Sequence, residues 1–236
     1  MGLGRFPHRF MVYQPVVDLA SGGVIFYEAL FRSGSSEATQ AVCLAAEREG
    51  WIIELDLYAL RSAQQVLREH PLISLAVNLS AASIAACADV ILRLLDQDRT
   101  SCPRLYLEIT ESCDIGLAAL LAFADSCRER QIKMVQDDFG IDFSTVARAR
   151  ALRPAWLKLV APTRTGQLQP WAQTSLRIAA ALAQEIGAGL LVERIETRCA
   201  QQLAMRYGAR AGQGYAYGKP ASLPRLTPGN AAALIA

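Results

Sequence analysis

Acidic, amide and lysine side chains recur where short aliphatic runs stop: Glu28, Asn78, Glu108 with Glu111, Asp137 with Asp138, Lys158, Glu193 with Glu196, and Gln213. Each lies in, or just beyond, an otherwise apolar stretch, as in Ala76-Val-Asn78-Leu79 and Met134-Val-Gln-Asp137-Asp138-Phe139. A carboxylate at the end of an apolar strand is costly without a partner. Glu28, Glu108, Asp137, Asp138 and Glu193, brought together, would carry −5, and Lys158 would supply +1. Two divalent cations would neutralise that pocket. Ligation by oxygen alone, with an asparagine amide and no imidazole or thiolate, selects Mg²⁺, Mn²⁺ or Ca²⁺ over zinc or copper. Two such ions roughly 3.5–4 Å apart, bridged by an aspartate and a water, suit in-line hydrolysis of a phosphodiester.

Taken singly, each residue has a plainer reading. Glu111 followed by Ser112 reads equally as a helix N-cap, Asn78 as a turn residue, and Lys158 as a lysine reaching along the surface to water. The weight lies in seven strand ends carrying such residues together.

Composition removes the main competitors. The 236 residues include only two histidines, His8 and His70, far apart and without ligand spacing. Zinc chemistry and Ser/His or Cys/His nucleophilic catalysis therefore have almost no material. A net charge of +2, from 24 Lys+Arg against 22 Asp+Glu, argues against a nucleic-acid polymer bound through bulk basicity. The six cysteines (43, 87, 102, 113, 127, 199) show no C-x-x-C and mostly sit in Ala/Leu-rich stretches, as buried reduced thiols would. Met1 to Arg9 lacks the apolar core of a signal peptide, and no run of 18 apolar residues occurs. The expectation is a soluble, cytoplasmic chain without membrane insertion.

The elements that must position the polar residues follow from periodicity. Strand patterns fall at 10–17, 24–31, 74–79, 104–110, 132–137, 156–160, 189–193 and 209–213. Helical patterns fill the gaps at 38–48, 53–69, 82–96, 116–130, 145–151, 170–185 and 198–207, with Gly50, Gly187 and Gly208 at helix ends and Pro170 at a start. Strands alternating with helices at this length predict an α/β fold, a (β/α)8 barrel of the TIM type, with function at the C-terminal strand ends. The first two strands are joined only by Asp18 to Gly23, too short for a parallel crossover. One strand of the barrel must therefore run antiparallel, in an N-terminal hairpin. An open doubly wound sheet is the alternative.

Tyr13-Gln14-Pro15-Val-Val-Asp18-Leu19, followed by Tyr27-Glu28-Ala29-Leu30-Phe31-Arg32, resembles the opening of the EAL domain, the bacterial cyclic di-GMP phosphodiesterase domain. Val77-Asn78-Leu79-Ser80, Leu107-Glu108-Ile109-Thr110-Glu111-Ser112, Asp137-Asp138-Phe139-Gly140, Leu157-Lys158, Glu193-x-x-Glu196-Thr197 and Gln213-Gly214-Tyr215 continue the resemblance in the family's order. It implies one domain over residues 1–236, a barrel with one antiparallel strand, and hydrolysis of cyclic di-GMP to linear pGpG in second-messenger signalling. It further implies two Mg²⁺ or Mn²⁺ ions held by Glu28, Asn78, Glu108, Asp137, Asp138 and Glu193, with Asp137 bridging. Lys158, Glu196, Glu111 and Gln213 would act in catalysis, Lys158 holding the nucleophilic water or the phosphate. Arg32, Gln14 and Gln213 would contact substrate. A homodimer is also implied.

Three departures stand against this pattern. The family's Thr-Gly-Tyr-Ser-Ser after the Asp-Asp-Phe-Gly motif is here Ile141-Asp142-Phe143-Ser144-Thr145; its Lys-x-Asp is Lys158-Leu159-Val160; and its Ala-Glu-Gly-Val-Glu is Val192-Glu193-Arg194-Ile195-Glu196. Arg194 could pair with Asp142, meet substrate phosphate, or compete with a metal ion. The departures keep open a domain that binds cyclic di-GMP or a partner protein without turnover, and a barrel phosphohydrolase with another substrate.

Overall fold

The computed structural model describes residues 2–35, 38–110, 115–139, 144–160, 163–164, 167–168 and 172–223. In chain order the strands are β1 (Phe10–Asp18), β2 (Val24–Arg32), β3 (Leu75–Leu79), β4 (Leu105–Ile109), β5 (Lys133–Gln136), β6 (Trp156–Val160), β7 (Thr163–Arg164), β8 (Gln167–Leu168), β9 (Gly189–Glu193) and β10 (Ala211–Gln213). The helices are α1 (Thr39–Glu49), α2 (Ile52–Glu69), α3 (Ala81–Asp96), α4 (Leu117–Glu129), α5 (Val146–Leu152), α6 (Ala172–Ile186) and α7 (Arg198–Arg206). Eight strands close into a barrel in the order β1-β10-β9-β6-β5-β4-β3-β2, while β7 and β8 form a separate antiparallel pair that periodicity did not reveal. Closure excludes the open sheet.

The reversed strand is β1, antiparallel to both β2 and β10, whereas the other barrel pairings are parallel. The hairpin that reverses it is held by Asp18, whose Oδ1 accepts from Ser21 N–H at 2.7 Å and Ala20 N–H at 3.1 Å. This is the local side-chain-to-backbone bonding that lets aspartate nucleate a turn. β2 pairs with β3 only through Tyr27–Ala29, and beyond that stays paired with β1 out to Arg32. Glu28 thus lies in mid-strand rather than at the strand end the sequence suggested. The β1–β2 ribbon rises past the barrel rim and carries Arg32 with it.

Two shells of packing hold the barrel. Outside, the β3 and β4 residues Leu75, Val77, Leu79, Leu105, Leu107 and Ile109 bury against α2, α3 and α4 through Leu60, Leu67, Ile91, Leu95 and Phe123. Leu157, Leu159, Leu190 and Val192 do the same against Leu176, Ala179 and Leu182 of α6. Inside, Val16, Phe26, Ala76, Tyr106, Val135, Leu191 and Ala211 fill the barrel, with Trp156 packed against them. Phe26 and Tyr106 stack there with centroids 4.5 Å apart. The barrel is therefore plugged by side chains, as barrels of this width are.

Cys102 and Cys127 are buried free thiols, as expected, but Cys43 and Cys87 are only half-buried and Cys199 is exposed in the first turn of α7. Cys113 lies outside the described residues. No described helix is long and apolar enough to cross a membrane.

Candidate active site

The site is built by the two-residue period of the strands. In a strand, residues i and i+2 share a face. Two positions toward the mouth from the apolar plug, every barrel strand carries a polar residue. Val16 is followed in this sense by Gln14 on the reversed strand, Phe26 by Glu28, Ala76 by Asn78 and Tyr106 by Glu108. Val135 is followed by Asp137 just past β5, Trp156 by Lys158, Leu191 by Glu193 and Ala211 by Gln213. An apolar layer thus supports a polar one, and the register keeps neighbours level: Gln14 is the partner of Glu28, and Asn78 of Glu108.

Lys158 is the hub of that layer. Its side chain is 2% exposed, and its Nζ lies 2.6 Å from Glu108 Oε2, 2.9 Å from Glu193 Oε1, 3.0 Å from Asp137 Oδ1 and 3.8 Å from Glu28 Oε2. The reading of a lysine reaching along the surface is excluded. Amides complete the ring: Gln213 Nε2 donates to Glu28 Oε2 at 2.6 Å and Asn78 Nδ2 to Glu28 Oε1 at 3.0 Å. Gln213 Nε2 also approaches Gln14 Oε1 at 3.4 Å, and Gln14 Nε2 donates to the Gly218 carbonyl at 3.1 Å.

One ammonium cannot balance these acids. Glu108 is fully buried, and its Oε1 has no hydrogen-bond partner among the described residues. Burial pushes the Glu108 carboxyl well above the usual glutamate range, Glu28 adds to the rise, and Lys158 opposes it. Burial likewise raises Glu193 to about 8 against the pull of Lys158, with Asp137 raising it further. Asp138 is raised by burial and by Asp137, with Lys158 and Arg194 acting the other way. For Lys158, burial favours the neutral amine, but Asp137, Glu108, Glu193 and Glu28 together hold its pKa well above the usual lysine value. Crowded acids with raised pKa values and an unpartnered oxygen mark a place that gains from further positive charge. Asp137, Asp138 and Glu193 each bring a carboxylate oxygen within 4.8 Å of the others, which suits one divalent cation.

Comparison with known proteins decides the family: residues 6–220 match the model of the EAL domain. The chain belongs to the EAL-domain family. It is 30% identical over 233 residues to the cyclic di-GMP phosphodiesterase NbdA of Pseudomonas aeruginosa, covering 91% of this chain and 29% of that protein. It is 31% identical over 224 residues to the cyclic di-GMP phosphodiesterase PA2567 of the same organism, covering 89% and 38%. The chain thus spans less than two-fifths of the length of these relatives. Among solved structures it superposes on a MucR phosphodiesterase in complex with c-di-GMP, with a TM-score of 0.81, 26% identity, and 91% and 97% of the two chains covered.

The EAL barrel brings Glu28, Asn78, Glu108, Asp137, Lys158, Glu193, Gln213 and Gln14 into one connected layer. Asp138 joins at its edge, half-buried, with a left-handed φ of 42°. Glu196 is exposed just past β9, and Arg32 donates from a guanidinium nitrogen to the Phe31 carbonyl at 2.7 Å. Glu111 and the loop residues Ile141, Asp142 and Phe143 lie outside the described residues. Val160 stands level with Glu193 across the β6–β9 pairing.

Sequence reasoning missed the residues that aim the site from behind. Asp56 on α2 accepts from Ser80 N–H at 2.9 Å and Ser80 Oγ at 2.7 Å, fixing the turn two residues after Asn78. Ser80 also caps α3, accepting from Ser83 N–H at 3.1 Å. Gln136, fully buried beside Asp137, donates to Ser144 Oγ at 3.0 Å and the Thr145 carbonyl at 3.2 Å, tying β5 to the start of α5. The Ser80-x-x-Ser83 spacing carried a capping signal; nothing local marked Asp56 as its partner.

Proposed function

We propose that this chain is a divalent-metal-dependent phosphodiesterase that hydrolyses cyclic di-GMP to linear pGpG. The observation that carries the reading is the buried, under-neutralised ring of Glu28, Glu108, Asp137 and Glu193 around a single Lys158 ammonium. Family membership and relatives named as cyclic di-GMP phosphodiesterases support it. So does a superposable phosphodiesterase solved with c-di-GMP.

In this reading Glu28, Asn78, Glu108, Asp137, Asp138 and Glu193 would hold two Mg²⁺ or Mn²⁺ ions. The donors fit, being oxygen throughout, with Glu108 Oε1 unpartnered and three carboxylates already converged. When bound, such ions acidify a water and take up charge on phosphate oxygens. The chain's own groups do the positioning. Lys158 stays protonated among its acids, so it acts as a fixed hydrogen-bond donor to the water or a phosphate oxygen and not as a base. Gln213 and Asn78 aim the two oxygens of Glu28. Glu196 and Glu111 orient water at the mouth, while Arg32 and Gln14 meet the substrate. The same reading takes the chain as one domain across residues 1–236, cytoplasmic, and paired as a homodimer.

The test is incubation with cyclic di-GMP and Mg²⁺ or Mn²⁺, followed by chromatographic separation of products. Formation of pGpG that chelation abolishes is the expected result. Calorimetric binding without any pGpG would replace the enzyme with a cyclic di-GMP receptor.

A further inference from the structure

Arg194 is not needed to build the carboxylate layer, and the backbone carries it in a left-handed conformation with φ 54°. That conformation cannot relax, because both flanks are pinned. On one side Glu193 faces Lys158 at 2.9 Å. On the other, Ile195 is fully buried, donates its N–H to the Gln213 carbonyl at 2.9 Å and accepts from Ala216 N–H at 3.1 Å. Gly214 presses so closely that a Cβ there would lie 2.1 Å from the Ile195 carbonyl oxygen. The end of β9 therefore presents Arg194, exposed, on the rim of the mouth.

The Arg194 guanidinium acts electrostatically on Asp138 and stands between Glu193 and Glu196 in the chain. Even so, it makes no hydrogen bond or ion pair with a described residue. A cation that pairs with none of its described neighbouring carboxylates, on a pinned left-handed turn, keeps its planar donor fork available to an arriving anion.

We propose that Arg194 is a specificity-determining substrate contact, binding the phosphate of the cyclic dinucleotide that is not being cleaved. The inference rests on the phosphodiesterase reading, in which the carboxylate layer and its cations engage the scissile phosphate. A substrate with two phosphates then brings a second anion across the rim, beyond reach of the buried Lys158 ammonium, which is held among Glu108, Asp137 and Glu193. Arg194 supplies the complement, and it favours dinucleotides over simple phosphodiesters.

The experiment compares the wild-type chain with Arg194→Ala and Arg194→Lys, in Mn²⁺, on cyclic di-GMP and on bis(p-nitrophenyl) phosphate, which has one phosphodiester. For Arg194→Ala, KM for cyclic di-GMP should rise about ten- to a hundredfold, with kcat held within about threefold. Arg194→Lys should fall between, the KM difference should shrink as salt is added, and turnover of the single diester should not change. Calorimetry with Mn²⁺ alone should show cation affinity in Arg194→Ala equal to or tighter than wild type, which separates a lost substrate contact from a damaged metal site. An unchanged KM, or an equal loss on both substrates, overturns the proposal. If the wild type binds cyclic di-GMP without hydrolysing it, the comparison is read as Kd. A weaker Kd in Arg194→Ala then sustains Arg194 while the phosphodiesterase reading falls. Neither binding nor turnover overturns both.

Discussion

One buried acid behind the barrel, Asp56 on α2, and the four acids at its mouth are built on opposite rules. Asp56 is 5% exposed and forms no ion pair with a described residue, yet its Oδ2 accepts two donors from Ser80, at 2.7 and 2.9 Å. Burial raises its pKa to about 6, and the hydroxyls of Ser83 and Ser80 pull it back. At the mouth, Glu28, Glu108, Asp137 and Glu193 crowd one ammonium, and Glu108 Oε1 has no donor among the described residues. The first arrangement closes on itself and ties α2 to the β3–α3 turn. The second is left short of positive charge, and a buried acid in that condition costs stability unless something else binds. The contrast separates a structural acid from a functional one by whether its hydrogen-bonding capacity is filled.

The largest expected effect comes from removing a functional acid. Glu28→Ala deletes the acceptor of both Asn78 and Gln213 as well as a proposed cation ligand. Turnover of cyclic di-GMP should fall at least about a hundredfold, while the barrel stays folded. Product chromatography and circular dichroism read the two halves. If Glu28→Ala keeps wild-type turnover, Glu28 is not part of the reacting layer and the contrast with Asp56 loses its meaning.

The next effect is on the pH dependence of stability without metal. Glu193 is raised in the folded state from its ordinary 4.5 to about 8, so between these pH values the folded chain holds more of its proton than the unfolded chain. Stability must then fall as pH rises through that window, and Glu108, also raised, tilts it the same way. Lys158 is raised above 10.5, so its contribution is fully present below that pH and adds no slope between 5 and 8. Asp56 tilts stability in the same direction, but only up to about pH 6. Thermal melts of chelator-treated protein should therefore drop by several degrees from pH 6 to pH 8. Glu193→Gln should flatten that drop, and saturating Mg²⁺ should remove it. A flat melt in wild-type, metal-free protein would show that the mouth acids are not under-neutralised.

Asp56→Ala should act in the opposite currency. It strands the Ser80 N–H and hydroxyl in a buried turn, so unfolding in urea should become easier by about 1–3 kcal/mol. Cation affinity should change much less than in Glu28→Ala. Equal losses of metal binding in the two variants would mean that Asp56 belongs to the functional layer after all.

How much of this could be read from the residues follows the same division. The barrel, its reversed strand and the polar layer were legible because each depends on a local period: alternation places Trp156 below Lys158 and Leu191 below Glu193, and a turn from Asp18 to Gly23 admits only a hairpin. Glu28 was assigned to a strand end because the continuation of β2 to Arg32 is supported by β1, a partner that β2's own residues do not announce. Asp56 stayed hidden for a similar reason, since its partner is 24 residues away and its helix reads as an ordinary amphipathic one. Arg194 was visible as an anomaly beside Glu193, but its left-handed backbone was not, because the pinning contacts come from Gln213 and Ala216 on the next strand and loop.

The smallest expected effect sharpens the contrast at that last residue. A non-glycine side chain in the left-handed region costs about 1 kcal/mol or more, and the pinned flanks of Arg194 leave no way to avoid it. Arg194→Gly should therefore stabilise the chain by about 1 kcal/mol in urea unfolding, while losing the KM advantage that Arg194→Ala also loses. Arg194→Ala keeps the strained backbone, so it should show the kinetic loss without the gain in stability. Asp56 stabilises the fold without serving the reaction; Arg194 would be the reverse, a residue kept at the rim at a cost to the fold because of what it binds. If Arg194→Gly destabilises the chain, the guanidinium has a structural partner, and the strain at φ 54° is offset within the protein rather than by substrate.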